Sequence, residues 1–484
     1  MPLILSGNVA SATADAGYTV ANSCRFNNGY NGGLDDAYLG MTPSGASNRR
    51  TFTVSAWVKR GSHFNDEHPI FSAGEGSGFS IRFSSESGSN SAINVYEYVS
   101  GWQLRVHTSA VYRDPSAWMH VCVAIDTTQA TDTNRVKIYV NGTQVTALGN
   151  ADYPSENYDT LVNSGILHTI ARNGTAGDYY DGYLAEVCMI DGSALTPTSF
   201  GEFDSDSPTI WKPIDVSGLT FGTNGFYLDF EASDNLGNDA NGGTDWTETN
   251  LAAEDQATDT PTNNFATLNP LYHPASNAPT LSEGNCKVVS SSALFLGGIG
   301  STIGVASGKW YVEVKVTTRN TGAQIGVTSD PSVDVTDNAE GRAIGFLATS
   351  FGYQEDGQEV TNDTRGAYGA SYDTDIVGIA LDCDNNKIYY SKNGGWSDGD
   401  GTSDAATPND FQTITAPAST PTGFYFFGAS DGSTSATNTY EFNFGNPTFS
   451  ITSGNADANG YGNFEYAVPS GYFALNTKNL AEYG

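Results

Sequence analysis

Residues 376–394 read IVGIALDCDNNKIYYSKNG, and this stretch decides the fold of the second half of the chain. Large apolar residues alternate with small ones over residues 376–382, and this period of two is typical of a β-strand. The polar residues 384–386 predict a turn, and residues 388–390 predict the returning strand. Asn393 is followed by glycine, a dipeptide that favours a tight hairpin turn. The stretch therefore predicts a long antiparallel hairpin.

The first half of the chain repeats this plan with a longer turn. Residues 121–126 (VCVAID) predict one strand, and residues 136–142 (VKIYVNG) predict its partner and a closing Asn-Gly turn. No long apolar pattern with a period of 3.6 residues, which would indicate a helix, accompanies either hairpin. We therefore expect an all-β protein with two antiparallel β-sandwiches, each built around one hairpin.

The charge of the chain restricts its partners. Its 484 residues are enough for about two to four domains. They include 21 Lys+Arg and 54 Asp+Glu, which gives a net charge of −33. Because such a chain repels anionic surfaces, we expect no nucleic-acid partner. No apolar run approaches ~20 residues, so we expect no membrane insertion.

The N-terminus and the cysteines bear on where the protein is found. The apolar run at residues 2–5 is too short for a signal peptide, and no basic residue precedes it. The five cysteines form no Cys-x-x-Cys pair, which disfavours a metal cluster or a redox motif. We expect a soluble, non-secreted product whose composition is nevertheless typical of extracellular proteins. A virion protein that is assembled in the host cytoplasm and released by lysis satisfies both conditions.

Four segments of the first half carry a family resemblance. They read FTVSAWVKR, WMHVCVAID, VKIYVNG and DGYLAEVCMIDGSALTP, and they occur in this order within residues 22–205. This region resembles laminin G-like domains, which are concanavalin A-like jelly-roll sandwiches. The resemblance implies a lectin-like binding domain. Many relatives have Asp-Glu-Val where this chain has Ala185-Glu186-Val187, so no role of that aspartate is carried over.

A second resemblance covers residues 286–450. The segments GKWYVEVKV, DIVGIALD, KIYYSKNGGW and FNFG resemble the SPRY domain. This resemblance implies a β-sandwich that binds ligands with loops at one end and that is not an enzyme. Residues 451–484 form a C-terminal segment that we expect to pack on this sandwich.

The remaining parts of the chain lack a regular pattern. Residues 1–21 are small and polar, and we interpret them as an N-terminal arm. Residues 206–285 predict an irregular acidic connector, because residues 229–259 hold nine acids and no Lys or Arg and four prolines follow. This block resembles connectors of phage virion proteins.

Catalytic signatures lack the context that they need. The pattern Gly-x-Ser-x-Gly occurs at residues 395–399 and 428–432, but neither serine is followed by a helical pattern, which a nucleophile elbow requires. Glycosidases of concanavalin A-like fold need two carboxylates that flank the bond, and Glu202-Phe-Asp204 lacks the second glutamate of their strand motif. We therefore expect that the protein is not an enzyme.

Aromatic residues close to predicted turns are candidate ligand contacts. Sugar rings stack on flat apolar faces, while neighbouring polar groups bind the hydroxyls. The candidate ligand-binding residues are Tyr96, Tyr98, Trp102, Asp178, Tyr179, Tyr180 and Trp396.

Calcium is the cation that the acidic loops favour, because it binds carboxylate and carbonyl oxygens. Asp35 and Asp36 precede a strand where laminin G-like relatives often place acids. Asp398, Asp400 and Asp404 alternate along a Gly-rich loop that does not match the EF-hand pattern. These five aspartates are candidate calcium ligands, and hydrated acidic loops are the alternative.

Together these observations predict a structural protein of the virion surface, such as a tail fibre, a head fibre or a capsid decoration protein. We expect it to form a trimer or higher homo-oligomer, to contact other virion proteins and to bind a host-surface glycan or protein. Two alternatives are a bacterial exported adhesin or glycan-binding module, and a polysaccharide depolymerase.

Overall fold

The structure, a computed structural model, describes residues 4–5, 17–28, 36–61, 67–75, 78–84, 91–174, 178–271, 279–290, 296–330, 343–431 and 436–484. The chain divides into two compact units. The first unit ends at residue 262, and the second unit extends from residue 263 to the C-terminus and includes the strand Ile4–Leu5. Each unit contains two large, mainly antiparallel sheets, so the prediction of two β-sandwiches is confirmed.

Sheet 1A of the first unit contains the predicted hairpin. Its strands are, in spatial order, Thr143–Gln144, Val136–Val140, Met119–Asp126, Thr51–Arg60, Gly182–Asp191, Ser23–Phe26 and Gln256–Ala257, with Phe226–Leu228 also paired to Gly182–Asp191. Asn141 and Gly142 have φ values of 46° and 75°, so the Asn-Gly dipeptide makes the tight turn that the sequence predicts.

Sheet 1B faces sheet 1A across the core of the first unit. Its strands are, in spatial order, Leu148–Asp152, Trp102–Val111, Ala92–Tyr98, Phe79–Ser84, His68–Ala73, His168–Ile170, Tyr38–Met41 and Thr247–Thr249. Val123 and Ile125 from sheet 1A belong to the same buried apolar cluster as Phe79, Ile81 and Phe83 from sheet 1B. Burial of each such side chain contributes roughly 1.5–3 kcal/mol.

The outer face of sheet 1A is also apolar, and part of the predicted connector covers it. Cys122 and Ile190 lie on this face in one cluster with Phe200, Val216 and Phe221. A small sheet of Gly201–Phe203 and Trp211–Pro213 lies in the same segment. We call this segment, residues 200–221, the cover of sheet 1A. Removing apolar groups from water lowers the free energy of the folded protein. This segment therefore packs on the sheet although it is acidic.

The prediction of a separate irregular connector at residues 206–285 therefore needs correction. Within it, Phe226–Leu228, Thr247–Thr249 and Gln256–Ala257 pair with the sheets of the first unit. Beyond residue 262, Thr280–Ser282 pairs with Lys287–Val289 of the second unit. Of the predicted N-terminal arm, only residues 4–5 and 17–21 are among those that the structure describes.

The second unit contains sheets 2A and 2B. The strands of sheet 2A are Thr280–Ser282, Lys287–Val289, Thr439–Asn443, Lys309–Thr318, Ile376–Asp382, Lys387–Lys392, Gly395–Ser397 and Ser403–Ala405, with Gln412–Thr413 and Phe473–Ala474 attached. The strands of sheet 2B are Leu296–Gly300, Phe426–Asp431, Ala323–Thr328, Ser350–Gln354, Gln358–Thr361 and Thr364–Ala367. Ile303–Gly304 pairs in parallel with Ile4–Leu5.

The hairpin of Ile376–Asp382 and Lys387–Lys392 lies in the interior of sheet 2A. Val377, Ile379 and Leu381 face the core, where they share a cluster with Val327 and Phe427 of sheet 2B. Asn393 has a φ of 49°, as the turn requires.

Helices are short in the described part of the chain. They are Ala343–Phe346 and Thr477–Tyr483, together with the 3₁₀ turns Asp132–Asn134, Pro197–Ser199, Ala253–Asp255 and Pro417–Ser419. The side chain of Asn476 caps Thr477–Tyr483 by accepting a hydrogen bond from the Asn479 backbone N–H. No described helix has the length and apolar character that crossing a membrane requires.

The C-terminal segment packs on the outer face of sheet 2A, as the sequence predicts. Phe464 and Tyr472 share a cluster with Tyr311 of this face. Beneath them, the Glu313 carboxylate accepts hydrogen bonds from the backbone N–H groups of Glu465 at 2.9 Å and Tyr466 at 2.8 Å. It also accepts from Tyr311 Oη at 3.1 Å and Asn443 Nδ2 at 3.3 Å. This buried carboxylate therefore fixes the C-terminal segment on the sheet.

Replacing Glu313 by alanine should lower the free energy of unfolding by about 2–3 kcal/mol, because it leaves several buried donors without an acceptor. Urea denaturation measures this change. The matched control is Glu482→Ala on the exposed side of the C-terminal helix, which should change stability by less than about 0.5 kcal/mol. Equal stability of the two variants would contradict the role of Glu313.

Candidate binding sites

Two large aromatic side chains of sheet 1B are exposed at the tip of a hairpin. Tyr98 is 42% exposed and Trp102 is 47% exposed, whereas most aromatic residues of this unit are buried. They pair across the turn, where Ser100 and Gly101 have positive φ values. Their ring centroids lie 5.2 Å apart and the planes are nearly perpendicular. The turn thus holds two aromatic rings in contact with water.

Neighbouring residues fix the position of this pair. The Arg105 guanidinium lies 4.9 Å from the centre of a Trp102 ring. The ring centroids of Tyr96 and Trp102 lie 5.9 Å apart, and the Arg82 guanidinium lies 4.2 Å from the Tyr96 ring centre. Tyr96, Tyr98, Trp102 and Arg105 form what we call the aromatic rim. Tyr96 is largely buried and supports the exposed pair.

Asp178 is linked to the rim through an amide. Asn173 Nδ2 donates hydrogen bonds to Tyr96 Oη at 3.0 Å and to Asp178 Oδ2 at 3.1 Å. The side chain of Asp178 is 35% exposed and lies 3.9 Å from Arg82 Nη1. The structure therefore brings four of the predicted ligand residues together, namely Tyr96, Tyr98, Trp102 and Asp178.

The other predicted ligand residues do not belong to this rim. Tyr179 is largely buried and packs against Tyr38, with ring centres 6.2 Å apart. Tyr180 is fully buried and donates a hydrogen bond to the Lys59 carbonyl. Trp396 is in the second unit, where it is 4% exposed and packs against Tyr311 under the C-terminal segment. Tyr180 and Trp396 are packing residues, which corrects their predicted role.

Comparison with known families finds a match in each half of the chain. Residues 31–199 match the laminin G-type model described as the concanavalin A-like lectin/glucanases superfamily. Residues 309–414 match the SPRY domain. The chain contains a concanavalin A-like domain and a SPRY domain. These two names are used below for the first and the second unit.

Solved structures with partial similarity include three proteins. The chain is 19% identical to the stonustoxin structure, with a TM-score of 0.27, over 37% of this chain and 27% of that chain. The SPRY domain of human HERC1 is 13% identical with a TM-score of 0.26, and the match covers 36% of this chain and 96% of that domain. The heptameric SAP-like pentraxin from Limulus polyphemus is 17% identical with a TM-score of 0.29, and the match covers 37% of this chain and 80% of the pentraxin chain. No curated protein matches the chain.

The candidate calcium loop of the SPRY domain satisfies its carboxylates internally. Thr402 Oγ1 donates to Asp400 Oδ1 at 2.7 Å, and the Asp400 backbone N–H donates to Asp398 Oδ1 at 3.4 Å. The hydrogen bond shared with Asp400 raises the pKa of Asp398, and hydrogen bonds from Thr402 lower the pKa of Asp400. Asp404 is exposed in the following strand.

The other candidate calcium ligands lie in the concanavalin A-like domain. Asp36 is half-buried, and its backbone carbonyl accepts a hydrogen bond from Asn250. Asp35 lies outside the described residues. Within the described part of the chain, no three acidic, histidine or cysteine side chains are grouped as a metal site requires.

The serines of the two Gly-x-Ser-x-Gly patterns and the buried His120 occupy structural positions. Ser430 is buried in sheet 2B and lies 3.4 Å from Gln324 Oε1, and Ser397 contacts Ser403. His120 is buried under Trp211, whose indole N–H donates to His120 Nδ1 at 3.1 Å, while Nε2 lies 2.8 Å from Ser55 Oγ. Burial lowers the pKa of His120 to about 3.

Glu186 is a buried carboxylate for which the sequence alone predicts no role. It lies in a β-bulge of Gly182–Asp191 and has a φ of 51°. Its Oε2 accepts hydrogen bonds from Tyr227 Oη at 2.8 Å and Tyr18 Oη at 3.2 Å. Burial raises the pKa of Glu186 to about 7. A glutamate inside an otherwise apolar strand was the signal in the sequence, and its contacts attach the residues around Tyr18 to the sheet.

Replacing Glu186 by glutamine should flatten the pH dependence of stability. Its pKa is about 7 in the folded protein against an ordinary 4.5, so the folded state binds the proton more tightly. The contribution is fully present below about pH 4.5 and is lost as pH rises through 7. Between pH 8 and pH 5 the wild type should therefore gain roughly 1–3 kcal/mol more stability than the variant.

Urea denaturation at each pH measures the two slopes. The glutamine amide oxygen still accepts from both tyrosines, so the variant is expected to fold. Other titrating groups are common to both proteins and cancel in the difference. Identical slopes for the wild type and the variant would show that Glu186 does not titrate in this range.

Proposed function

We propose that this chain is a binding protein that attaches to glycans through the aromatic rim of its concanavalin A-like domain. The exposed Tyr98 and Trp102 rings carry the proposal, because sugar rings stack on flat apolar faces. Arg105 lies against Trp102 and supplies a donor for hydroxyl groups. Asp178, which Asn173 links to Tyr96, supplies an acceptor. A glycan is thus offered both the apolar and the polar contacts that lectin-type recognition needs.

The setting of this site is proposed to be the surface of a virion, as a tail fibre, head fibre or capsid decoration protein. Two binding-type domains in one chain and a net charge of −33 support this setting. Single sites of this kind bind near millimolar, or about −4 kcal/mol. Display as a trimer or larger homo-oligomer, held by other virion proteins, multiplies such contacts through effective concentration.

Two alternatives differ in setting or chemistry. A bacterial exported adhesin would use the same rim, so only the location of the protein separates it from a virion protein. A depolymerase needs two accessible carboxylates that flank the bond. Glu202 and Asp204, which lack the second glutamate of the glycosidase motif, both pair with Lys212 Nζ, at 3.4 Å and 3.5 Å. We therefore propose that the protein binds polysaccharide without cleaving it.

Replacing Trp102 by alanine should weaken glycan binding at least about tenfold, since ~1.4 kcal/mol of stacking is lost. The measurement is an array of microbial surface polysaccharides probed with the labelled oligomer, and the bound polysaccharides should release no reducing sugar. Phe203→Ala is the matched control, because Phe203 is an equally exposed aromatic residue of the same domain outside the rim. Wild-type binding by Trp102→Ala, or release of reducing sugar, would contradict the proposal.

Immunogold labelling should place the chain on the outer surface of particles that are released by lysis of the producing cells. The expectation follows from the attachment role, which requires the rim to face the host. If the gold label lies on the cell envelope and the particles carry none, the result would instead favour the alternative of an exported adhesin.

A further inference from the structure

A polar pocket of about 400 Å³ lies in the SPRY domain, and none of the predicted site residues lines it. One side is the hairpin of Gln358–Thr361 and Thr364–Ala367 at the edge of sheet 2B. The other side is formed by Phe411 and the strand Gln412–Thr413. All of these residues belong to the same unit.

Two features keep the pocket open and fixed. Gln412 Nε2 donates hydrogen bonds to Thr361 Oγ1 and to the Val360 carbonyl, which joins the two sides. Gly366 pairs with Glu359 across the hairpin. A Cβ atom at Gly366 would lie 3.2 Å from Glu359 Oε1, so the glycine leaves space above this carboxylate.

The pocket contains acceptors that the protein leaves unused. The Glu359 carboxylate is half-buried, and no hydrogen-bond or ion-pair partner is found for it among the described residues. Burial and the neighbouring Asp410 raise its pKa. Gln412 is buried, and its Oε1 has no hydrogen-bond partner in the described part of the chain. Buried acceptors of this kind favour a ligand that brings donors.

The charges around the pocket argue against an ionic ligand. Glu359 and Asp410 oppose an anion. Arg365 lines the pocket, and Lys387 Nζ lies 3.9 Å from the ring centre of Phe411, so both oppose a cation. Phe411 itself is 38% exposed and offers an apolar surface. A neutral ligand with donors, acceptors and a flat apolar face satisfies all of these groups.

We propose that this pocket binds one or two rings of a neutral sugar. Hydroxyl groups of the sugar donate to Glu359, other sugar oxygens accept from Arg365, and an apolar ring face rests on Phe411. The inference rests on the proposed glycan-binding function and adds to it a second site in the other domain. Because it uses none of the rim residues, failure of one site leaves the other testable.

Saturation-transfer NMR with the full chain tests the pocket, since this method detects weak binding. The probes are glucose, galactose, mannose, N-acetylglucosamine and their disaccharides, with glucuronate and putrescine as charged comparisons. The pocket variants are Glu359→Gln, Phe411→Ala and Gly366→Leu, the last of which fills the space on an edge strand. Each is made in the Trp102→Ala chain, so that the aromatic rim contributes no signal. Trp102→Ala is the matched control in the other domain.

We expect transfer to at least one neutral sugar, retained in Trp102→Ala and weakened at least about tenfold when each pocket substitution is added to Trp102→Ala. Retention in Glu359→Gln and Gly366→Leu would overturn the proposal, as would the absence of transfer to every neutral sugar. Transfer confined to glucuronate or putrescine would overturn the assignment of a neutral ligand. Loss in Trp102→Ala alone would assign all sugar binding to the rim. Circular dichroism confirms that each variant is folded, and Gly366→Leu decides the outcome if another variant unfolds.

Discussion

In both domains, the sheet that contains the long hairpin is apolar on its two faces, and its outer face must be covered by other parts of the chain. In the concanavalin A-like domain, Phe200 and Phe221 cover Cys122 and Ile190. In the SPRY domain, Phe464 and Tyr472 cover Tyr311. Each Å² of apolar surface removed from water contributes about 25 cal/mol, so these irregular segments are parts of the two folds rather than linkers.

Buried polar groups then fix where each cover lies. On sheet 1A, Trp211 Nε1 of the cover donates to the buried His120 Nδ1 at 3.1 Å. A fully buried ion pair of Lys59 with Asp259 holds the segment that follows Gln256–Ala257. On sheet 2A, Glu313 holds the C-terminal segment by accepting hydrogen bonds from two of its backbone N–H groups. Because a buried charge without a partner is costly, these contacts select one position for each cover. The proposed binding surfaces lie elsewhere and stay exposed.

The sequence predicts the hairpins well because their determinants are local. A period of two identifies the strands, and Asn141 and Asn393 adopt the positive φ that an Asn-Gly turn needs. Much of the cover of the concanavalin A-like domain lies in the predicted connector, because its apolar residues occur singly among Gly, Asp and Pro. The C-terminal cover of the SPRY domain packs on its sheet as predicted. Trp102 and Trp396 both follow a turn, and local pattern does not reveal that only Trp396 is covered. The sugar pocket joins residues that are distant in sequence, and no local signal connects them.

Quenching of tryptophan fluorescence by acrylamide tests the central claim most directly, namely that the aromatic rim is a binding surface. Of the seven tryptophans, Trp102 is 47% exposed, Trp118 is half-buried and the others are buried. Quenching therefore reports mainly on Trp102. The account predicts that at least one oligosaccharide from a microbial panel lowers the quenching constant of the wild type and leaves that of Trp102→Ala unchanged. Quenching that no oligosaccharide alters in the wild type would contradict the account.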